Sequence, residues 1–116
     1  MIQATELRIG NYLTYHTPDD TDMPCKIDAQ DILNISTNYM HNAEIHSPIP
    51  LTEEILLKCG ARRIDKYTFV LNGLFIHMRK IVFVFNIGKK KIVIEHLHQL
   101  QNLTHALTNP ELNITL

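Results

Sequence analysis

A leucine repeat near the end of the chain constrains the fold more than any other stretch. Leu97, Leu100, Leu103 and Leu107 recur at three- and four-residue steps. Such steps place all four side chains on one stripe of an α-helix. We therefore predict a helix over residues 95–107 whose leucine stripe packs on the β-rich chain before it.

A second repeat on the same helix consists of neutral polar side chains: His98, Gln101, Asn102 and His105. Solvated helix faces usually carry Lys and Glu, because these residues favour both the helix and solubility. Amides and imidazoles suit directional hydrogen bonds instead. This polar ladder is either a solvated face, a ligand- or partner-binding face, or a surface buried between subunits, and the sequence leaves these readings open.

The first half of the chain carries short strand signals separated by polar turns. Residues 17–24 combine turn-forming residues with three acids, so we predict a loop there. Short strands with tight turns are typical of a small curled sheet or an SH3-like half-barrel. The predicted strands cover residues 12–15, 25–27, 32–35 and 43–45, with a loop at 36–42 and an extended connector at 47–50.

The second half begins with signals for a short helix. Thr52 is a good N-cap, and Gly60 suits the left-handed position after the helix. Asn72 and Gly73 predict a type I′ turn between two hairpin strands. Residues 81–85 are apolar on both faces, which favours a central strand. The predicted strands cover residues 64–71, 74–78, 81–85 and 91–94, with a turn at 86–88 and a short closing strand at 112–116.

Together these signals predict an α+β fold. It comprises a small antiparallel sheet or half-barrel with one short and one longer helix, and the C-terminal helix packs on the sheet. The chain has 116 residues, so we expect a single domain. Residues 1–47 would form a short-strand β region and residues 48–116 a helix, a β-meander and a second helix.

Charge and hydropathy exclude several classes of function. The net charge is −1, so no global field attracts nucleic acid or an anionic membrane. The N-terminus lacks a basic segment followed by an apolar run, and no apolar stretch reaches the length of a membrane span. Cys25 and Cys59 are expected to stay reduced. We predict a soluble intracellular protein.

Motifs for catalysis and metal binding are missing. The seven histidines do not have the spacing of metal ligands. Asp19, Asp20 and Asp22 lack the glycine and the distal glutamate of a calcium loop. Ser36 and Ser47 lie in no nucleophile elbow, and four glycines form no phosphate loop. We therefore expect a non-enzymatic protein without a cofactor or a metal ion.

Basic residues in the meander have two readings. Lys89, Lys90 and Lys91 could form one basic edge with Arg79 and Lys80, and the arginine pair after the short helix could extend it. Such an edge protects a sheet from aggregation and aids solubility. Alternatively, it contacts a phosphate group.

Three blocks of the sequence resemble one family. Residues 6–11 (ELRIGN), 48–54 (PIPLTEE) and 97–103 (LHQLQNL) occur in that order, with supporting matches at 57–60, 106–108 and 111–112. They resemble a family of small proteins from Bacteroides-type gut bacteria, their prophages and their phages. The resemblance implies a phage or mobile-element accessory protein that acts in the bacterial cytoplasm, without implying a particular activity.

The polar positions that match this family are His98, Gln101, Asn102, Arg8 and Asn11. This chain departs from the family's pattern elsewhere. The pattern has a tryptophan at Ile55, aromatic residues at Thr104 and His105, and a glycine at Asn109. His105 is therefore excluded from the candidate site.

We predict a homo-oligomeric binding protein that captures a small phosphorylated ligand. In a phage it would act as a sponge for a nucleotide-type signal of host immunity. The polar ladder would contact a base or ribose, and the basic residues would neutralise phosphate. An inhibitor or adaptor of a host or phage protein, using the same face, is the alternative, and a minor virion component is a third. The candidate ligand-binding residues are His98, Gln101, Asn102, Arg8, Asn11, Arg79, Lys90 and Lys91.

Overall fold

The computed structural model of the protein describes residues 3–17, 19, 21–37, 46–80, 82–108, 111, 112, 114 and 116. The chain falls into two compact units, Met1–Ile49 and Pro50–Leu116. Unit 1 contains a three-stranded antiparallel sheet and unit 2 a five-stranded one. The fold is α+β with the C-terminal helix packed on a sheet, as predicted.

Unit 1 is organised around strand β1, Tyr12–His16, which follows a short 3-10 helix at Ala4–Glu6. Strands β2, Asp22–Lys26, and β3, His46–Pro48, pair with β1 on either side and run antiparallel to it. Pro24 is tolerated in β2 because β2 is an edge strand. Leu13, Ile27 and Ile35 form a buried apolar cluster in this unit.

Helix α1, Ala29–Thr37, occupies the segment where we predicted a turn and a strand. The side chain of Asp28 accepts a hydrogen bond from the N–H of Asp31 at 2.9 Å, and the carboxylate of Asp31 accepts one from the N–H of Asp28 at 3.0 Å. The N–H of Asp31 also holds the pKa of Asp28 below its usual value. This reciprocal cap begins the helix, and Ile32 and Ile35 then face the core one turn apart. The strand prediction at 32–35 was wrong because it ignored the cap.

Three further predictions for unit 1 were wrong in whole or in part. Residues 17–24 are only partly a loop, since β2 already begins at Asp22. The connector predicted at 47–50 contains β3, which pairs with β1. Ser36 and Thr37 belong to α1 and not to a loop. The predicted strand at 43–45 lies outside the described residues.

Unit 2 begins with helix α2, Glu53–Lys58, as predicted. Thr52 Oγ1 accepts a hydrogen bond from the N–H of Ile55 at 3.2 Å. Gly60 has a φ of +96°, which is the left-handed conformation expected after the helix. Both ends of α2 are therefore determined by local chemistry.

A five-stranded meander follows α2, and its strands lie side by side in chain order. Residues 72 and 73 have φ of 50° and 81°, which confirms the type I′ turn. The fourth strand, Val82–Ile87, has a paired strand on each side, which confirms the central strand predicted at residues 81–85. The strands are β4, Arg62–Asp65; β5, Thr68–Leu71; β6, Leu74–Arg79; β7, Val82–Ile87; and β8, Lys90–Ile94.

Two turns in the meander differ from the predictions. The single strand predicted at 64–71 is broken, because the carboxylate of Asp65 accepts the N–H of Tyr67 at 2.9 Å and turns the chain. The turn predicted at 86–88 starts later, since Asn86 and Ile87 remain paired in β7.

Helix α3, Leu97–Thr108, follows β8 after a two-residue link and packs on the inner face of the sheet. That face buries Phe69, Ile76, Phe83 and Ile94. The closing strand predicted at 112–116 was wrong: of its residues, those that the structure describes lie in no strand.

Candidate functional site

The polar ladder of α3 is largely buried. His98 is 0% exposed and Gln101 is 1% exposed, while Asn102 and His105 are half-buried. The ring of His98 stacks on His96 with the two centroids 5.7 Å apart and the planes 8° from parallel. In this arrangement neither His98 nor Gln101 is accessible to a ligand in solvent.

The buried stripe of α3 differs from the predicted leucine stripe at the end of the helix. Leu97 and Leu100 are fully buried as predicted, but Leu107 is 48% exposed. Thr104 is buried in its place, and its Oγ1 donates to the backbone carbonyl of Leu100 at 3.0 Å. A threonine that satisfies its hydroxyl within the helix can replace an apolar side chain at a buried position. The prediction was therefore correct for the first two turns and wrong at the end of the helix.

The predicted basic residues do not form one edge. Arg79 pairs with Val82 at the start of β7, whereas Lys90 pairs with Ile87 at its end. A six-residue strand separates its ends by about 17 Å at ~3.4 Å per residue. The prediction of a single basic cluster containing both residues was wrong.

Arg8 and Asn11 belong to unit 1 and shape the turn that leads into β1. The buried side chain of Asn11 accepts a hydrogen bond from the N–H of Arg8 at 2.6 Å. The backbone of Ile27 bonds to Gly10 and Asn11 at 2.9 Å each, and Gly10 has a φ of +96°. These contacts assign Asn11 a part in closing the turn.

The structure does bring together residues on the outer face of the five-stranded sheet. Side chains opposite one another on paired strands point to the same face. Arg62 pairs with Val70, and Val70 pairs with Phe75. Asn86 pairs with Lys91. These two groups lie on the face opposite the buried Phe69 and Ile76.

The two groups are continuous across the sheet. Ile76 pairs with Phe85, so Phe75 and Asn86 are the next residues along the same register of β6 and β7. We call the resulting line across all five strands the outer row. It consists of Arg62, Val70, Phe75, Asn86 and Lys91.

The outer row is open to solvent, apart from the half-buried Val70. Phe75, which lies at the centre of the outer row, is 53% exposed. Within the described part of the chain, neither Arg62 nor Lys91 forms a salt bridge. Each lies two strands from Phe75, or about 10 Å at ~4.8 Å per strand. Long basic side chains can cover much of that distance.

This arrangement combines three kinds of recognition. The Phe75 ring offers a flat surface for stacking, and the Asn86 amide both donates and accepts hydrogen bonds. Arg62 and Lys91 attract phosphate or carboxylate. The sequence predicted a strand at residues 74–78, but it did not predict the pairing that aligns β4 and β8 with Phe75.

No protein-family model matches the chain, and no curated protein or solved structure gives a significant match. Among the described residues, no three His, Cys, Asp or Glu side chains are grouped to hold a metal ion. No helix in the same part of the chain has the length and apolar character needed to cross a membrane. Function is therefore inferred from the geometry of the chain's own side chains.

Proposed function

We propose that the protein captures a small phosphorylated ligand of the nucleotide type on the outer row. The observation that carries this proposal is the half-exposed Phe75, placed between Arg62 and Lys91 on one line across the sheet. A base would stack on the Phe75 ring. A phosphate group would then bind one or both cations.

The charge distribution favours a short ligand over a long nucleic acid. The net charge is only −1, and tight binding to a polyanion needs many phosphate contacts. The outer row supplies one cation at each edge of the sheet. A nucleotide, or a dinucleotide that reaches both edges, matches this number of contacts.

The resemblance to phage proteins supports a biological setting for this capture. In an infected bacterium, the protein would act in the cytoplasm as a homo-oligomeric sponge that removes a nucleotide-type immune signal. Asn86 replaces the buried His98 and Gln101 as the group that contacts the base edge or ribose. Lys91 would contact the phosphate group, as we predicted from the sequence.

A second candidate is an inhibitor or adaptor that docks a protein on the same face. Val93 is 48% exposed and lies on this face two residues after Lys91. Exposed apolar side chains on one face of a sheet favour contact with a partner. A minor component of the virion remains a prediction on the resemblance alone.

Native mass spectrometry of the purified protein, alone and mixed with a nucleotide extract of phage-infected cells, tests the proposal. The proposal expects an oligomer that gains the mass of a nucleotide. The variant Phe75→Ala should weaken the binding of that nucleotide by roughly 5- to 150-fold, since a base–aromatic stack contributes ~1–3 kcal/mol.

Val93→Ala provides the matched control, because it removes an exposed apolar side chain outside the outer row. It should bind the nucleotide as the parent protein does. A parent protein that gains no mass, or a Phe75→Ala variant that binds unchanged, contradicts the proposal. Co-purification of one protein in a Phe75-dependent manner, without a nucleotide, would support the adaptor instead.

A further inference from the structure

Unit 1 contains a second constellation, formed by one residue from each strand of its sheet. His16 pairs directly with Asp22 of β2. Thr14 pairs with Ser47 of β3, so Ser47 lies diagonally across from His16 on the same face. The central strand therefore places the imidazole between a carboxylate and a hydroxyl.

The three side chains form one hydrogen-bonded chain. His16 Nδ1 lies 2.7 Å from Asp22 Oδ1, and His16 Nε2 lies 2.8 Å from Ser47 Oγ. A carboxylate only accepts, so Nδ1 donates to Asp22. In the neutral ring Nε2 then accepts the Ser47 hydroxyl proton. This is the order of contacts by which a histidine activates a serine nucleophile and an acidic group orients the histidine.

We propose that Ser47, His16 and Asp22 form a nucleophilic serine site that hydrolyses small carboxylic esters. Ser47 is the nucleophile and His16 is the general base. Asp22 is a positioning residue, because it acts through His16. This site is independent of the outer row and departs from the expectation of a non-enzymatic protein, which rested on the missing sequence motif.

The exposure of the three residues defines the class of substrate. The side chains of His16 and Asp22 are 39% and 56% exposed, and Ser47 is half-buried. The opposite face of β1 carries the buried Leu13, so the site opens away from the core. Among the described residues of unit 1, none is placed to form an enclosing wall for a long acyl chain on this face. It suits a short acyl group with a leaving group that departs readily, such as an aryl ester.

The reaction has two balanced steps. The Ser47 hydroxyl proton moves to His16 Nε2 as Ser47 Oγ bonds to the ester carbonyl carbon. The bond from that carbon to the leaving oxygen then breaks, and His16 returns the proton to the leaving alcohol. In the second step the oxygen of a water molecule bonds to the acyl carbon while His16 Nε2 takes a proton from it. The bond from that carbon to Ser47 Oγ then breaks, and His16 returns the proton to Oγ, which releases the carboxylic acid and restores Ser47.

Covalent labelling of the unaltered protein gives the most direct test. A fluorophosphonate probe, which reacts with activated serines, should add to the chain, and peptide mass spectrometry should locate the adduct on Ser47. Labelling of other residues, or none at all, overturns the proposal. This measurement needs no variant and so does not depend on a substitution that could unfold unit 1.

Hydrolysis of p-nitrophenyl acetate provides the second test. Ser47→Ala and His16→Ala should each lower the rate by about 100-fold, the usual contribution of general-base catalysis. Ser36→Ala is the matched control, because Ser36 is exposed on α1 and donates only to the carbonyl of Leu33. It should keep the parent rate. An unchanged rate in Ser47→Ala overturns the proposal, since the remaining histidines alone would then account for the hydrolysis.

Asp22→Asn distinguishes positioning from a structural role. It should slow the labelling of Ser47 and lower kcat for p-nitrophenyl acetate with KM unchanged, because an amide N–H can donate to Nδ1 and leave Nε2 unable to accept the Ser47 proton. Asp22→Glu keeps a carboxylate and should recover part of the lost rate, which a purely structural defect would not do. A parent-like rate in Asp22→Asn overturns the role of Asp22.

Discussion

Arg79 and Lys90 lie at opposite ends of β7, since Arg79 pairs with Val82 and Lys90 pairs with Ile87. In the sequence they belong to what looks like one basic cluster. The hairpin geometry instead places Lys91 in the outer row beside Asn86. Only the lysine end of β7 therefore contributes a cation to the proposed ligand site.

Substitution of a cation at each end of β7 should have different effects on the Kd for the nucleotide. Lys91→Ala should weaken nucleotide binding by up to roughly fivefold, since an exposed ionic contact contributes at most about 1 kcal/mol. Arg79→Ala has the same change in charge and should leave the Kd unchanged. Isothermal titration calorimetry at low and physiological salt measures both values. Equal losses for the two variants would show a diffuse charge effect and contradict the placement of the ligand on the outer row.

The two histidines of α3 should differ in their effect on stability. His98 is fully buried, so His98→Ala should lower the free energy of unfolding by about 2 kcal/mol or more through lost packing. His105 is half-buried, and His105→Ala should change it by less than about 1 kcal/mol. Urea denaturation followed by far-UV circular dichroism measures both. Similar stabilities for the two variants would mean that the His98 side chain is not buried.

Burial raises the pKa of the Cys59 thiol to about 12 from an ordinary value of 9.0. Above pH 9 the unfolded thiol loses its proton while the folded one keeps it. The folded state is therefore favoured less as pH rises, by about 1.4 kcal/mol per pH unit until the pH reaches the folded pKa. The free energy of unfolding at pH 10.5 should consequently fall by about 2 kcal/mol more, relative to pH 8, in the parent than in Cys59→Ala.

The range from pH 6 to 8 serves as the internal control for Cys59. In this range the Cys59 thiol is protonated in both the folded and the unfolded protein. The free energy of unfolding should therefore depend on pH in the same way in the parent and in Cys59→Ala. Urea unfolding at each pH provides the comparison. Parallel curves up to pH 10.5 would be incompatible with a buried, neutral thiol at this position.

The N-cap of α2 should contribute measurably to stability. Thr52→Ala removes the side-chain acceptor for the N–H of Ile55 and should lower the free energy of unfolding by about 1 kcal/mol. Thr52→Ser keeps that acceptor and should stay within about 0.5 kcal/mol of the parent. Chemical denaturation of the parent and the two variants measures these differences. If Thr52→Ala were as stable as Thr52→Ser, the hydrogen bond of the cap would not contribute to stability.

Local signals in the sequence were sufficient for several elements. Thr52 and Gly60 bracket α2, and Asn72 with Gly73 produces the β5–β6 hairpin. Each of these features depends on a side chain or φ angle within a few residues of the element. The prediction failed where a short-range contact was overlooked, as in the reciprocal cap of Asp28 and Asp31 that begins α1.

The sequence by itself determined the α+β class, the hairpin at Asn72 and the presence of a C-terminal helix, because these depend on periodicity and on local backbone preference. Only the tertiary structure decided which side of α3 is buried, since this depends on the surface that the sheet presents to it. The same holds for the alignment of Arg62 and Lys91 with Phe75. It holds equally for His16 and Ser47, which are 31 residues apart in the chain and meet because β1 pairs with β3.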